Sequence, residues 1–132
     1  MNEENKRRNL RQAMAEAQSI YEEAELLVRH GKFKGAVSRA YYSVLCGARA
    51  LLLSLGVEAR THSGVAHLVY EHFVQTGRLE PATARVLRVL QVSREDADYE
   101  LAAIVTGEMA AAALVDAGNY LTSVRQLLAA DG

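Results

Sequence analysis

Apolar residues recur along this chain at steps of three and four, and almost nowhere at steps of two. Leu10, Ala13, Ala17, Ile20, Tyr21, Ala24, Leu27 and Val28 share one helical face. That spacing predicts an amphipathic helix from about Glu4 to His30, with Gly31 as its C-cap. Val37, Ala40, Tyr41, Val44, Leu45, Ala48, Leu51, Leu52 and Leu55 form a second stripe, ended by Gly56. A helix carrying it is about 30 Å long at ~1.5 Å per residue. Thr61 is placed to N-cap a third helix, running from His62 or Ser63 to about Thr76. Val65, Leu68, Val69, His72 and Phe73 make its inward face, and Gly77 ends it. Pro81 suits the first turn of a fourth helix, whose stripe is Leu87, Leu90, Arg94, Ala97 and Leu101. Thr106, Gly107 and Glu108 open a fifth. Met109, Ala112, Ala113, Asp116, Asn119, Tyr120, Val124, Leu127 and Leu128 form its expected inner face, and it ends near Asp131.

The joints between these segments are short, which favours antiparallel neighbours. The expected fold is all-α: an up-and-down antiparallel bundle of four long helices plus one shorter helix, forming a single domain over residues 1–132. Composition agrees with this. Half of the 132 residues are hydrophobic and 23% are charged, enough to bury a core without metal or disulfide. The formal net charge of -1 excludes a global basic field for nucleic acid but leaves room for a local basic patch. Cys46 is the only cysteine, which excludes a disulfide framework and a cysteine metal site and fits a reducing compartment. The polar start MNEENKRRNLRQ has no signal-peptide core, and no apolar run is long enough to span a membrane. The expectation is a cytoplasmic protein with no membrane attachment and no cofactor.

Arg94 is the first residue that the core does not explain. A guanidinium keeps its charge in any protein setting, so on an inward stripe it must be paired or must line a cleft. Asp98 lies one turn on and can pair with it. One reading is a structural ion pair near a helix end, with Ser93 and Asp96 forming a capping box for a new helical turn. The other is an arginine that holds phosphate at a groove, with Asp98 steadying its fork and Tyr99 adding a stacking face or a hydroxyl. The second helix carries a further stripe of Arg39, Tyr42, Ser43, Cys46, Arg49 and Leu53. It suits either a dimer interface or the wall of a polar cleft, while Arg39 and Arg49 taken singly also fit a solvated face. Of the four histidines, His67 and His72 are five apart, poor spacing for a shared metal, and no metal site is expected. His72 reads as a partly buried packing residue and His62 as a helix start. Arg49 lies one turn from Cys46 and tends to lower the thiol pKa, but a lone cysteine inside a helix does not make a catalytic thiol. No glycine-rich phosphate loop or nucleophile elbow occurs.

Three short motifs then stand in order: Ala36 with Ala40-Tyr41-Tyr42, Thr61-His62-Ser63-Gly64, and Arg94-Glu95-Asp96-Ala97-Asp98-Tyr99. Together they resemble the small single-domain HEPN proteins of prokaryotes, over about Ala13 to Leu128. The resemblance implies a helical bundle that forms homodimers and is linked to nucleotides or RNA. It also implies a toxin-like role beside a minimal nucleotidyltransferase as partner protein. Many catalytic members are metal-independent endoribonucleases with an Arg-x(4–6)-His motif, in which arginine holds phosphate and histidine assists attack by the 2'-hydroxyl. This sequence departs there. Tyr99, Glu100 and Leu101 occupy the candidate positions and no histidine follows. Tyrosine, with an ordinary pKa near 10, is a poor base at neutral pH. The expected function is therefore binding of nucleotide or RNA phosphate by Arg94, Asp98 and Tyr99, with His62, Tyr42 and Arg39 as further candidates for the same cleft. Two alternatives stand beside it: an endoribonuclease in which His62 or Tyr99 replaces the missing histidine, and a purely structural dimeric interaction module.

Overall fold

A computed structural model describes residues 2–99 and 104–131. It is an all-α bundle: α1 (Glu3–Arg29), α2 (Phe33–Ser54), the short α3 (His62–Val69), α4 (Pro81–Tyr99) and α5 (Gly107–Asp131). Three starts are capped by side-chain oxygens. Asn2, Thr61 and Thr106 accept from the amides of Asn5, Gly64 and Met109, each satisfying a donor that the first helical turn leaves free. The ends of α1 and α2 close with the same glycine device. At Gly31 (φ +72°) its own amide reaches Val28 and that of Lys32 reaches Leu27; Gly56 (φ +71°) repeats this with Leu53 and Leu52. This closure needs left-handed backbone, which costs a residue with a Cβ.

α2 is the central helix and packs against α1, α3, α4 and α5. Only three residues join α1 to α2, so the two can lie side by side only antiparallel. Because neighbours surround it, α2 buries more than the single expected stripe. Ala36, Ser43, Gly47 and Ala50 are also buried, as fits a helix covered on most sides. Ser43 was expected on an open face; it is fully enclosed, and its hydroxyl donates to the Ala40 carbonyl. Gly47 marks close helix approach, since a Cβ there would stand 2.7 Å from Leu121 of α5. Tyr41, Leu45, Leu51, Leu52, Phe73 and Leu90 fill the centre, each leucine contributing about 1.5–3 kcal/mol by leaving water.

Two expectations need correction, and one open reading is decided. The third helix does not run regularly to Thr76. After Val69 it widens into a π turn, Tyr70–Val74, with the Gln75 amide reaching back five residues to Tyr70. Val65, Val69 and Phe73 are all buried; they are four apart, and the wide turn offsets the drift of about 40° that each such step makes on a regular helix. In the first half of α5 the buried residues are Ala110, Ala113 and Ala117, with Tyr120, Leu121 and Val124 beyond. Met109 and Asn119 are exposed, so the inner face sits about one position on from the predicted one. Its second half packs Leu121, Val124 and Tyr120 over Gly47 of α2. Finally, α4 does not break at Ser93 but continues to Tyr99, so Ser93 and Asp96 cap no new turn. Leu101, the last expected member of its stripe, lies outside the described residues. Among the described residues no helix is long and apolar enough to cross a membrane.

Candidate functional site

Adjacent residues on a helix point about 100° apart, and α2 uses this at Tyr41 and Tyr42. Tyr41 turns inward and is fully buried, while Tyr42 stays partly open. The two rings meet edge to face with centroids 5.2 Å apart. His62, the first residue of α3 after the Thr61 cap, brings its Nδ1 to 2.8 Å from the Tyr41 hydroxyl. Its ring lies 5.7 Å from Tyr41 and 6.4 Å from Tyr42.

Arg94 reaches this group from α4. Its guanidinium carbon sits 5.1 Å from the Tyr41 ring centroid and 5.5 Å from that of Tyr42. Its Nη1 donates to Asp98 Oδ2 at 3.2 Å. The Arg94 side chain is 19% exposed and that of Asp98 48%, so the charge is half withdrawn from water and only one edge of the fork is matched. The Arg94 Nε is buried with no hydrogen-bond partner. Arg39 flanks the other side, 5.5 Å from the Tyr42 ring and 3.7 Å from Glu23 of α1.

The titration of the cluster follows from this packing. Burial pushes the Tyr41 hydroxyl above its ordinary pKa against the pull of Arg94. His62 is held below its ordinary value, first by burial, then by the like charges of Arg49 and Arg94, with Glu95 opposing. A neutral phenol therefore faces a neutral imidazole near pH 7. If Tyr41 donates to Nδ1, the Nε2 of His62 carries the proton; in the reverse sense Nε2 is a free base.

Five of the six residues expected at the cleft thus come together from three helices: Arg39, Tyr42, His62, Arg94 and Asp98. Tyr99 does not join them. One position past Asp98, it turns outward and is 84% exposed. Sequence reasoning placed Tyr41 only in the core, and the A-Y-Y pair was the signal that one of two neighbouring tyrosines must border the cleft. Cys46 is not an activated thiol, because burial and Glu16 push its pKa up against Arg49. His67 pairs loosely with Glu71 at 3.8 Å. Among the described residues no three His, Cys, Asp or Glu side chains converge as metal ligands.

In chemical terms the cluster is a guanidinium laid across two aromatic faces, with an imidazole beside it. Such a group takes a charged oxyanion such as phosphate on the free edge of the planar fork. The open Tyr42 ring offers a stacking face.

A family model of the HEPN domain matches residues 10–127. A UPF0332 protein of Pyrococcus horikoshii is 45% identical over 64 residues, 48% of this chain and 45% of that protein, so the match spans less than half of that relative. A UPF0332 protein of Archaeoglobus fulgidus is 27% identical over 109 residues, 83% of this chain and 86% of that protein. A protein of Methanocaldococcus jannaschii that is provisionally named a toxin is 27% identical over 122 residues, 92% of this chain and 83% of that protein.

Proposed function

This chain belongs to the HEPN domain family, and on that premise we propose that it binds nucleotide or RNA phosphate through Arg94 and serves as a toxin-like protein. One observation carries the binding: a half-buried guanidinium stacked on Tyr41 and Tyr42, with Asp98 on one edge and no partner at Nε. A purely structural pair needs neither the open aromatic face of Tyr42 nor the adjacent imidazole. In this reading Arg94 holds phosphate, Asp98 orients it, Tyr42 stacks against the base or sugar, and His62 and Arg39 border the ligand. The toxin-like role rests on the family and on the two relatives provisionally named toxins. By the same reading the protein acts in the cytoplasm as a homodimer, with a nucleotidyltransferase as partner.

The test is binding of fluorescent octauridylate to wild type and to Arg94→Met. Wild type binds, and the variant loses at least about tenfold, the scale of one charge-assisted contact. Equal binding by the two proteins would remove Arg94 from the site. The contact between His62 and Tyr41 beside Arg94 favours a second reading, a metal-independent endoribonuclease with His62 as the base. It requires RNA cleavage that survives EDTA and disappears in both Arg94→Met and His62→Gln. If wild type neither binds nor cleaves RNA, the chain is a structural interaction module.

A further inference from the structure

Arg49 has so far entered the site only through its charge, which acts on His62. It lies seven residues beyond Tyr42 on the same face of α2, about 10 Å along the axis. It is partly buried and makes no hydrogen bond or ion pair among the described residues. A guanidinium cannot shed its charge, and with no ion-pair partner its donors are free for an anionic ligand. Arg49 also stands close enough to His62 to oppose its protonation, ahead of Arg94. Beyond it lies a recess of about 170 Å³, walled by Leu52, Leu53, Val57 and Ala59 and edged by Glu58 and Arg60.

We propose that Arg49 is a second phosphate contact, and that the ligand is a single-stranded oligonucleotide crossing His62 from Arg94 to Arg49, with one base seated in the recess. This rests on the phosphate reading of Arg94 and names the ligand class for it. Arg39, Tyr42 and Arg49 make a cation–aromatic–cation track along α2. From Arg39 to Arg49 it measures about 15 Å, the length of about four stacked nucleotides at ~3.4 Å each. Alternating cations and aromatic faces suit a single strand, whose phosphates and bases alternate in the same way. A strand offers each guanidinium a phosphate of its own, which a monophosphate does not. The recess is apolar on most of its wall and too small for a drug-sized ligand, which suits one planar base.

The experiment measures affinity for octauridylate and for uridine monophosphate across a salt series, using wild type, Arg49→Gln, Arg94→Met and Arg85→Gln. Arg85 is exposed and lies on the opposite face of α4 from Arg94, so it controls for charge alone. Wild type is expected to favour octauridylate by at least about tenfold, and Arg49→Gln to lose most of that preference. Its salt slope should fall by about 0.7, the value of one phosphate contact on a single strand, while Arg85→Gln keeps the wild-type slope. If Arg94→Met weakens binding and Arg49→Gln changes neither preference nor slope, the second contact is refuted and the Arg94 reading survives. If wild type binds neither probe, both fail. Should Arg49→Gln melt early, the Arg49 Nε–H resonance of the wild type decides. It is expected to shift with octauridylate and much less with uridine monophosphate; an unmoved resonance overturns the proposal.

Discussion

Arg94→Met separates binding from stability, because methionine keeps most of the buried stem and removes only the guanidinium. The variant gives up the pair with Asp98, an i,i+4 contact to a half-exposed carboxylate, worth about 0.5 kcal/mol. It also loses two guanidinium–ring contacts at 5.1 and 5.5 Å, about 0.5–1 kcal/mol each at such exposure. In return it removes a buried Nε with no partner, a desolvation cost of about 1–3 kcal/mol. Asp98 is open enough to hydrate itself. The two sides cancel to within about 1 kcal/mol, so the melting temperature should move by less than about 5 °C in either direction. Thermal melting by circular dichroism reads this directly, and NMR titration of His62 gives a second readout. With a like charge gone, the imidazole pKa should rise toward its ordinary value. A fall in melting temperature above about 10 °C would mark Arg94 as a structural keystone and refute the assignment of its free edge to a ligand.

Three further outcomes follow from the geometry. Tyr120→Phe should stabilise the protein by about 1–2 kcal/mol in urea unfolding, since its hydroxyl is buried without a partner; destabilisation would mean that the hydroxyl is bonded. Gly31→Ala should cost about 1–2 kcal/mol and lower the melting temperature, because φ is +72° although space for a Cβ is open; an unchanged melt would show that the end relaxes to another closure. His62 is held neutral in the fold, so its pKa is lower folded than unfolded. The unfolded chain then binds the extra proton, and this contribution to stability is present above about pH 6.5 and lost as pH falls from there to the folded pKa. Wild type should accordingly lose more stability than His62→Gln between about pH 6.5 and pH 5, measured as melting temperature; parallel curves would mean that the ring is not held neutral.

The arrangement of α5 shows where a one-dimensional pattern stops. Met109, Ala112, Ala113 and Asp116 fit a helical stripe as well as Ala110, Ala113 and Ala117 do, because alanine carries little hydrophobic contrast. The neighbour made the choice: α5 lies close over α2, where Leu121, Val124 and Tyr120 fill the space that the missing side chain of Gly47 leaves. The π turn after Val69 was equally hidden, since four-residue spacing of Val65, Val69 and Phe73 fits a regular helix as well.

The candidate site was legible in part. The residue types and three ordered motifs pointed to Arg39, Tyr42, His62, Arg94 and Asp98, and the packing brings these together. Tyr99 belongs to the same motif but misses the cleft, because one step along a helix turns a side chain by about 100°. Periodicity, capping residues and closing glycines are local, and by themselves they determined the helices, most of their ends and the all-α bundle. Which face of α2 meets which neighbour, that Tyr41 meets His62, and that Arg94 lies across both tyrosines are long-range facts. They depend on how whole helices pack against one another, and only the tertiary structure decided them.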